Sequence, residues 1–129
     1  MNAIILAAGS GIRLDEHTKD IPKVLLDING KSILERQISL LRRHGVNEIF
    51  VVIGYKKEKY TLKDVEYLFN PKYSETEQLA SMMVARKKIC GDVLVIFGDI
   101  VFDDDILRQV LSSNDHIAIA VDLDWEKSY

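Results

Sequence analysis

The sequence has one cysteine and two prolines in 129 residues, with neither a large excess of one charge nor a long apolar run. Each scarcity removes a class of explanation. The single thiol, Cys90, cannot close an internal disulfide, so packing must hold the fold, and the residue is expected to be a small buried or half-buried apolar group. Pro22 and Pro71 stand far apart, so there is no proline-rich linker; with no internal repeat or low-complexity tract, residues 1–129 read as one domain. A net charge of -3 without a bulk basic surface argues against nucleic acid as a main partner. No stretch approaches the ~20 consecutive apolar residues of a membrane span, and the first residues enter a strand without the basic start of a signal peptide. The expected compartment is therefore the cytoplasm, with no membrane partner. What remains, 47% hydrophobic, is the composition of an ordinary globule with enough chain for one core.

The informative stretch is near the beginning. The apolar run Ala3 to Leu6 leads into Leu6-Ala7-Ala8-Gly9-Ser10-Gly11-Ile12-Arg13-Leu14, and Pro22-Lys23 follows ahead of a second apolar run. This order predicts a strand, a glycine loop that turns backbone amides toward an anion, and two cations aimed into the same space. Gly9 and Gly11 can take positive φ and carry no Cβ, which lets amides approach phosphate oxygens closely. Arg13 offers a planar fork of donors, and Lys23 a point charge on a flexible stem. Pro22 restricts Ile21, so the segment carrying Lys23 is expected to be extended and stiff. Two familiar phosphate motifs are excluded by spacing: Leu14 stands where a dinucleotide fingerprint needs its third glycine, and Leu25 where a P-loop ending in Gly30-Lys31-Ser32 needs its first. Asn29-Gly30 instead reads as a turn, with Ser32 and Glu35 as a capping box.

Along the rest of the chain, strands and helices alternate. Strands are expected at Asn2 to Ala7, Glu48 to Ile53, Val65 to Phe69, Asp92 to Phe97 and His116 to Val121, with a short extended piece from Val24 to Ile28. The fourth of these is apolar enough to be central in a parallel sheet. One helix is expected from Ser32 to His44, with Leu34, Ile38 and Leu41 on one face and Gly45 as its stop. Another is expected from Ser74 to Lys88, with Ser74 and Glu77 at capping-box spacing, Leu79, Met82, Met83 and Arg86 along one side, and both methionines packed in the core. Lys56 to Lys59 reads as a solvated charged run. Asp103, Asp104 and Asp105 open a further helix that presents Ile106, Leu107, Val110 and Leu111; carboxylates at a helix start cap free amides, a better account of the triplet than a metal site.

Such alternation predicts an α/β fold with a Rossmann-like, doubly wound, mainly parallel sheet and a ligand crevice beyond the carboxyl ends of the strands. Gly9, Gly98-Asp99 and Asp122 all follow apolar runs and are expected to converge there. Asp99, fixed at a strand end opposite a phosphate loop, suits Mg2+, which takes one or two carboxylates with phosphate oxygens and waters; the alternative is that it caps a turn. Gln78 has the amide donors and acceptor that a base edge requires. Trp125 either packs on the core or forms one wall of a cationic-amine site through cation-π contact, with Asp122 or Asp124 supplying negative charge.

Leu6 to Leu14 with Pro22-Lys23 resembles the signature of the nucleotidyltransferases (the MobA-like and sugar-phosphate group) that join a nucleoside triphosphate to a phosphorylated acceptor and release pyrophosphate. The likeness continues through Gly54-Tyr55, Phe69-Asn70-Pro71-Lys72-Tyr73, Leu79-Ala80-Ser81, Gly98-Asp99 and Asp122-Leu123-Asp124-Trp125, which look most like the branch activating phosphocholine or aminoethylphosphonate with CTP. The resemblance implies the nucleotide-diphospho-sugar transferase type of sheet and a nucleotide-binding domain that forms the N-terminal portion of such an enzyme, because members continue well beyond the position of Tyr129. It implies nucleotide contacts at Leu6, Ala7, Ala8, Gly9, Ser10, Gly11, Lys23, Gln78 and Ser81, catalytic roles for Arg13 and Lys23, a Mg2+ ligand at Asp99, and an acceptor near Asp122, Asp124 and Trp125. After Glu75-Thr76 the branch would have asparagine and an apolar residue; this chain has Glu77-Gln78, which leaves the acceptor open.

The implied chemistry is in-line attack of an acceptor phosphate or phosphonate oxygen on the α-phosphorus. Loop amides and Arg13 would hold the leaving phosphates, Mg2+ on Asp99 would bridge α- and β-oxygens, and Lys23 would neutralise charge at the reacting centre. Three alternatives stay open beside a cytidylyltransferase: a sugar-1-phosphate nucleotidyltransferase, a noncatalytic nucleotide-sensing module, and a structural domain with a vestigial loop. A homodimer is admitted without being required.

Overall fold

The computed structural model describes residues 1–128. Four parallel strands, β1 (Asn2–Ala7), β4 (Ile49–Ile53), β5 (Glu66–Phe69) and β6 (Val93–Phe97), form one sheet in the order β5-β4-β1-β6. The two-residue strands β2 (Asp27–Ile28) and β3 (Lys31–Ser32) make a separate antiparallel ribbon. Three helices of more than one turn are described: α1 (Ile33–Arg43), α2 (Gln78–Val84) and α3 (Asp104–Ser112). A four-residue turn of helix, α4 (Trp125–Ser128), closes the described chain.

β1 is buried along its whole length because it has a strand on each side and a helical layer on each face. Ala3, Ile5 and Ala7 face Leu34, Ile38 and Leu41 of α1 and Leu107 of α3. Ile4, Leu6 and Ala8 face the other way, with Phe50, Val52, Ala85 and Met82 of α2. A continuous apolar run, rather than an alternating one, is what a strand covered on both faces requires. The fold is thus α/β and doubly wound, as the alternation implied. Strand order reverses at β1, which runs from there to β4 on one side and to β6 on the other, so the crevice at their carboxyl ends is a topological switch point.

α1 begins as expected. Ser32 Oγ accepts from the Glu35 amide at 3.1 Å, and Glu35 Oε2 accepts from the Ser32 amide at 2.7 Å. Hydrogen bonds from the Ser32 backbone and side chain hold the Glu35 carboxyl below its ordinary pKa, so its contribution is present above the unfolded value and fades as pH falls through the folded one. Replacing Ser32 by alanine is expected to cost about 1 kcal/mol, read as a lower urea midpoint with an unchanged slope. Asp103 caps α3 in the same manner, accepting from the Ile106 amide at 2.9 Å.

Several expectations are corrected. β6 is an edge strand: its apolar content packs against β1, but Val95 and Phe97 remain exposed. His116 to Val121 is not a strand. Its alternating apolar residues have no described ladder partner, and Ile117, Ile119 and Val121 are all exposed; a strand without a neighbour has nothing to satisfy its backbone. The helix expected from Ser74 starts only at Gln78 and gives way to a 3-10 turn at Arg86–Lys88. Ser74 and Glu77 form no capping box, since residues 70–76 are folded into a turn in which the Lys72 amide donates to Asn70 Oδ1 at 3.0 Å and the Thr76 hydroxyl donates to Lys72 O at 2.8 Å. With α2 shortened, Ser81 is its buried position, Ala85 just past its end is buried as well, Met82 is half-buried, and Leu79 and Met83 face outward. Cys90 is exposed in the turn before β6. Lys23–Leu25 is a 3-10 turn rather than an extended segment: proline restricts the residue before it, and Pro22, itself extended, leaves Lys23 free to turn.

Candidate active site

The loop leaving β1 is anchored at both ends and open between. Leu6 O accepts from the Gly98 amide at 2.8 Å, tying the ends of β1 and β6, and Ala8 O accepts from the Tyr55 amide at 3.3 Å. Gly11 has φ 66 and caps the 3-10 segment Ile12–Thr18; an added Cβ would also sit 3.1 Å from Thr18 Cγ2 and 3.2 Å from Lys23 Cβ. Gly9 does not use positive φ; its missing side chain leaves open space, with no atom within 4 Å of where a Cβ would lie. Among the described residues, the amides of Gly9, Ser10 and Gly11 donate to no protein acceptor. Consecutive amides of this kind are what an anion cradle presents. The far side of the loop is held by Thr18 Oγ1, which donates to Gly11 O at 2.8 Å, and by the Tyr55 hydroxyl, 2.8 Å from Lys19 O and 3.0 Å from Thr18 O.

Across this loop stand the two charged residues singled out in the sequence. Lys23 Nζ lies 2.5 Å from Asp99 Oδ2, with the side chains 29% and 41% exposed. Asp99 follows β6 in a turn that requires Gly98: a Cβ there would be 2.9 Å from Leu6 O and 3.0 Å from Val24 Cγ1. The 3-10 turn at Lys23–Leu25 and the turn after β6 therefore bring the lysine and the carboxylate to one point from residues 76 apart in sequence. Among the described residues no group of three or more His, Cys, Asp or Glu could hold a metal ion. The single carboxylate of Asp99 beside an amide loop fits a hard cation that takes one carboxylate plus phosphate oxygens and waters.

A cavity of about 150 Å³ adjoins the loop, lined by Ala8, Gly9, Tyr73, Thr76, Gln78 and Ser81 among others. Buried Asn70, the first residue past β5, ties two of these lining residues together: Nδ2 donates to Thr76 Oγ1 at 3.2 Å and to Ser81 Oγ at 3.1 Å. Tyr73 meets Tyr55 edge-on, ring centres 6.4 Å apart. Of the residues singled out in the sequence, Ala8, Gly9, Gln78 and Ser81 line this cavity, Leu6 and Ala7 end β1 below it, Ser10 and Gly11 continue the loop, and Lys23 stands beside Gly11 and pairs with Asp99. Arg13 is exposed in the 3-10 segment and makes no hydrogen bond or ion pair among the described residues.

Among the described residues, Asp122, Asp124 and Trp125 make no hydrogen bond or ion pair with the loop, Lys23 or Asp99. Asp122 Oδ1 accepts from the Asp124 amide at 2.9 Å, Asp124 pairs with Lys127 at 2.6 Å, and Trp125 is 57% exposed, so it does not pack on the core. Without a strand at 116–121, Asp122 has no strand end to bring it to the crevice. Conversely, Tyr55 and Asn70 were not assigned roles from the sequence, although each stands one or two residues past a parallel strand, the position at which such sheets place their functional groups. That positional rule was the available signal for both.

A doubly wound sheet with an amide loop, a lysine and an aspartate at its switch point defines a class of nucleotide-handling α/β domains. The chain belongs to the MobA-like NTP transferase domain family, whose model matches residues 3–126. It is 36% identical over 138 residues to the CTP:phosphoglutamine cytidylyltransferase of Campylobacter jejuni, a match covering 98% of this chain and 54% of that protein. It is 32% identical over 128 residues to the CMP-5'-(3-aminopropyl)phosphonate synthase of Streptomyces rubellomurinus, covering 93% of this chain and 20% of that one. The solved CTP:phosphocholine cytidylyltransferase of Streptococcus pneumoniae superposes with a TM-score of 0.72 at 37% identity, over 76% of this chain and 44% of that chain. This chain spans about half the length of the first of these relatives. No helix among the described residues is long and apolar enough to cross a membrane.

Proposed function

We propose that this chain is the nucleotide-binding portion of a Mg2+-dependent nucleotidyltransferase that moves a nucleoside monophosphate from CTP to a phosphorylated or phosphonate acceptor and releases pyrophosphate, working in the cytoplasm. One observation carries this reading: Lys23 and Asp99 meet at 2.5 Å beside a loop whose amides at Gly9 to Gly11 have no acceptor among the described residues. The loop amides at Gly9 to Gly11 and the exposed fork of Arg13 would bind the β- and γ-phosphates, the group that leaves. Lys23 would place its charge where the acceptor anion and the triphosphate meet, the point of greatest repulsion. Asp99 would hold Mg2+, which when bound supplies further positive charge to the phosphates. The cavity at Thr76, Gln78 and Ser81 has a size and polarity that suit a base edge, with Gln78 offering both donor and acceptor. Positioning and fixed charge suffice for such an in-line transfer without a covalent intermediate. The named substrates of the cytidylyltransferase relatives support CTP and a small phosphorylated or phosphonate acceptor.

A second reading, nucleotide binding without transfer, is favoured by Asp124 being engaged with Lys127 and by the absence, among the described residues, of any hydrogen bond or ion pair from Asp122, Asp124 or Trp125 to the loop, Lys23 or Asp99. Thermal shift with each of the four NTPs and Mg2+, followed by pyrophosphate release against a panel of phosphocholine, phosphoglutamine, aminoalkylphosphonates and sugar 1-phosphates, separates the two. The transfer reading expects CTP to stabilise the protein more than the other nucleotides, by about 2.7 kcal/mol over the ligand-free protein at a hundredfold excess over Kd, and acceptor-dependent pyrophosphate. Stabilisation without pyrophosphate from any acceptor supports the second reading; no stabilisation by any nucleotide overturns both.

A further inference from the structure

α1 carries one amide on its buried face. Gln37 is 3% exposed, beside Leu34, Ile38 and Leu41, and its Nε2 reaches from the helix to the chain leaving β6. It donates to Ile100 O at 2.8 Å and Phe97 O at 3.1 Å, with Gly98 O at 3.4 Å. These carbonyls bracket Asp99: two precede it and one follows. The carboxamide has only one tolerable orientation, because the reverse would set Oε1 against three acceptors. In the orientation adopted, Oε1 is buried without a hydrogen-bond partner among the described residues. A helix that needed only to pack here would carry an apolar side chain and leave no orphaned acceptor. The other side of the same turn is fixed by the Gly98 amide on Leu6 O at 2.8 Å. The turn is therefore held from β1 behind and from α1 in front, and the α1 hold falls on the carbonyls flanking the carboxylate that meets Lys23.

We propose that Gln37 is a positioning residue which, by tying both sides of the Asp99 turn to α1, sets how tightly the site takes a divalent cation together with a triphosphate. The inference rests on the reading of Asp99 as the residue that holds the cation. Groups that orient a metal-binding carboxylate typically contribute 10–100-fold in metal affinity.

Gln37→Met keeps the length and apolar body of the side chain and removes the donor. Free Mn2+, followed by electron paramagnetic resonance during titration of the protein with CTP, reads the affinity directly. Pyrophosphate release as a function of Mg2+ reads it through turnover. Gln37→Met is expected to weaken Mn2+ binding in the presence of CTP by about tenfold, and to shift Mg2+ activation to higher concentration while kcat recovers at saturating Mg2+ and the KM for CTP is unchanged. A lower Tm with Mn2+ affinity unchanged would show a purely structural residue and overturn the proposal, as would failure of the unsubstituted chain to bind Mn2+ with CTP. Should the unsubstituted chain bind Mn2+ and CTP yet release no pyrophosphate, the transfer reading fails while the Mn2+ comparison still decides the role of Gln37. If Gln37→Met does not fold, the side-chain amide protons of Gln37 in the unsubstituted chain decide: exchange with solvent far slower than for a free carboxamide supports the hold on the turn, and exchange at the free rate overturns it.

Discussion

Lys23→Ala is expected to lower turnover by roughly 10²–10³-fold, or ~2.7–4 kcal/mol in the barrier, by analogy with the loss of one preorganised donor to developing charge. The melting temperature should fall by no more than a few degrees. The two numbers separate because they come from different states. In the resting protein Lys23 is paired with Asp99 at a partly open surface, 29% and 41% exposed, where ion pairs contribute about 0–1 kcal/mol to stability. In the reacting complex, the same ammonium would stand between an attacking anion and a triphosphate in a crevice emptied of water, where a fixed charge acts through a lower dielectric. Steady-state rates of pyrophosphate release, paired with thermal melts of the two proteins, check both halves. Equal rates would remove Lys23 from the chemistry; a collapse in stability would make it a structural residue.

Asp99→Asn tests the other half of the pair and should give a loss of similar size, again about 10²–10³-fold in turnover. The substitution keeps the shape and hydrogen-bonding capacity of the side chain but removes the charge a hard cation needs. The asparagine still accepts from Lys23, so stability should change little. Raising Mg2+ should restore part of the activity, because weakened cation binding can be overcome by mass action. Lys23→Ala should show no such rescue. A matching Mg2+ dependence in the two variants would mean that the pair acts only through mutual support and that Asp99 is not the cation's ligand.

How far the site could be read from the sequence follows from where its information lies. The loop after β1 was legible because its requirements are local: Gly11 needs a left-handed backbone, and the apolar run before it must be a strand covered on both faces. The placing of Asp99 beside the loop was legible only through topology, since it follows a parallel strand, while its pairing with Lys23, which stands in a 3-10 turn, was not. Strand position was not legible. The run Val93 to Phe97 is as apolar as a central strand, yet β6 lies at the edge, and nothing in a single segment says what stands beside it. For the same reason Ile117, Ile119 and Val121 alternate as a strand would and form none. The start of α2 was misread because Ser74 and Glu77 have capping-box spacing while the turn organised by Asn70 claims the segment first. Gln37 left a fainter trace, a polar residue on the apolar face of α1, but its three carbonyl partners lie at least 60 positions away.

The most direct test is a crystal structure with CTP and Mg2+. The account predicts the triphosphate seated against the amides of Gly9 to Gly11, the base between Gln78 and Ser81, and Lys23 Nζ turned from Asp99 onto a phosphate oxygen. Nucleotide bound elsewhere with the Lys23–Asp99 pair intact, or an empty loop under saturating CTP, would contradict it.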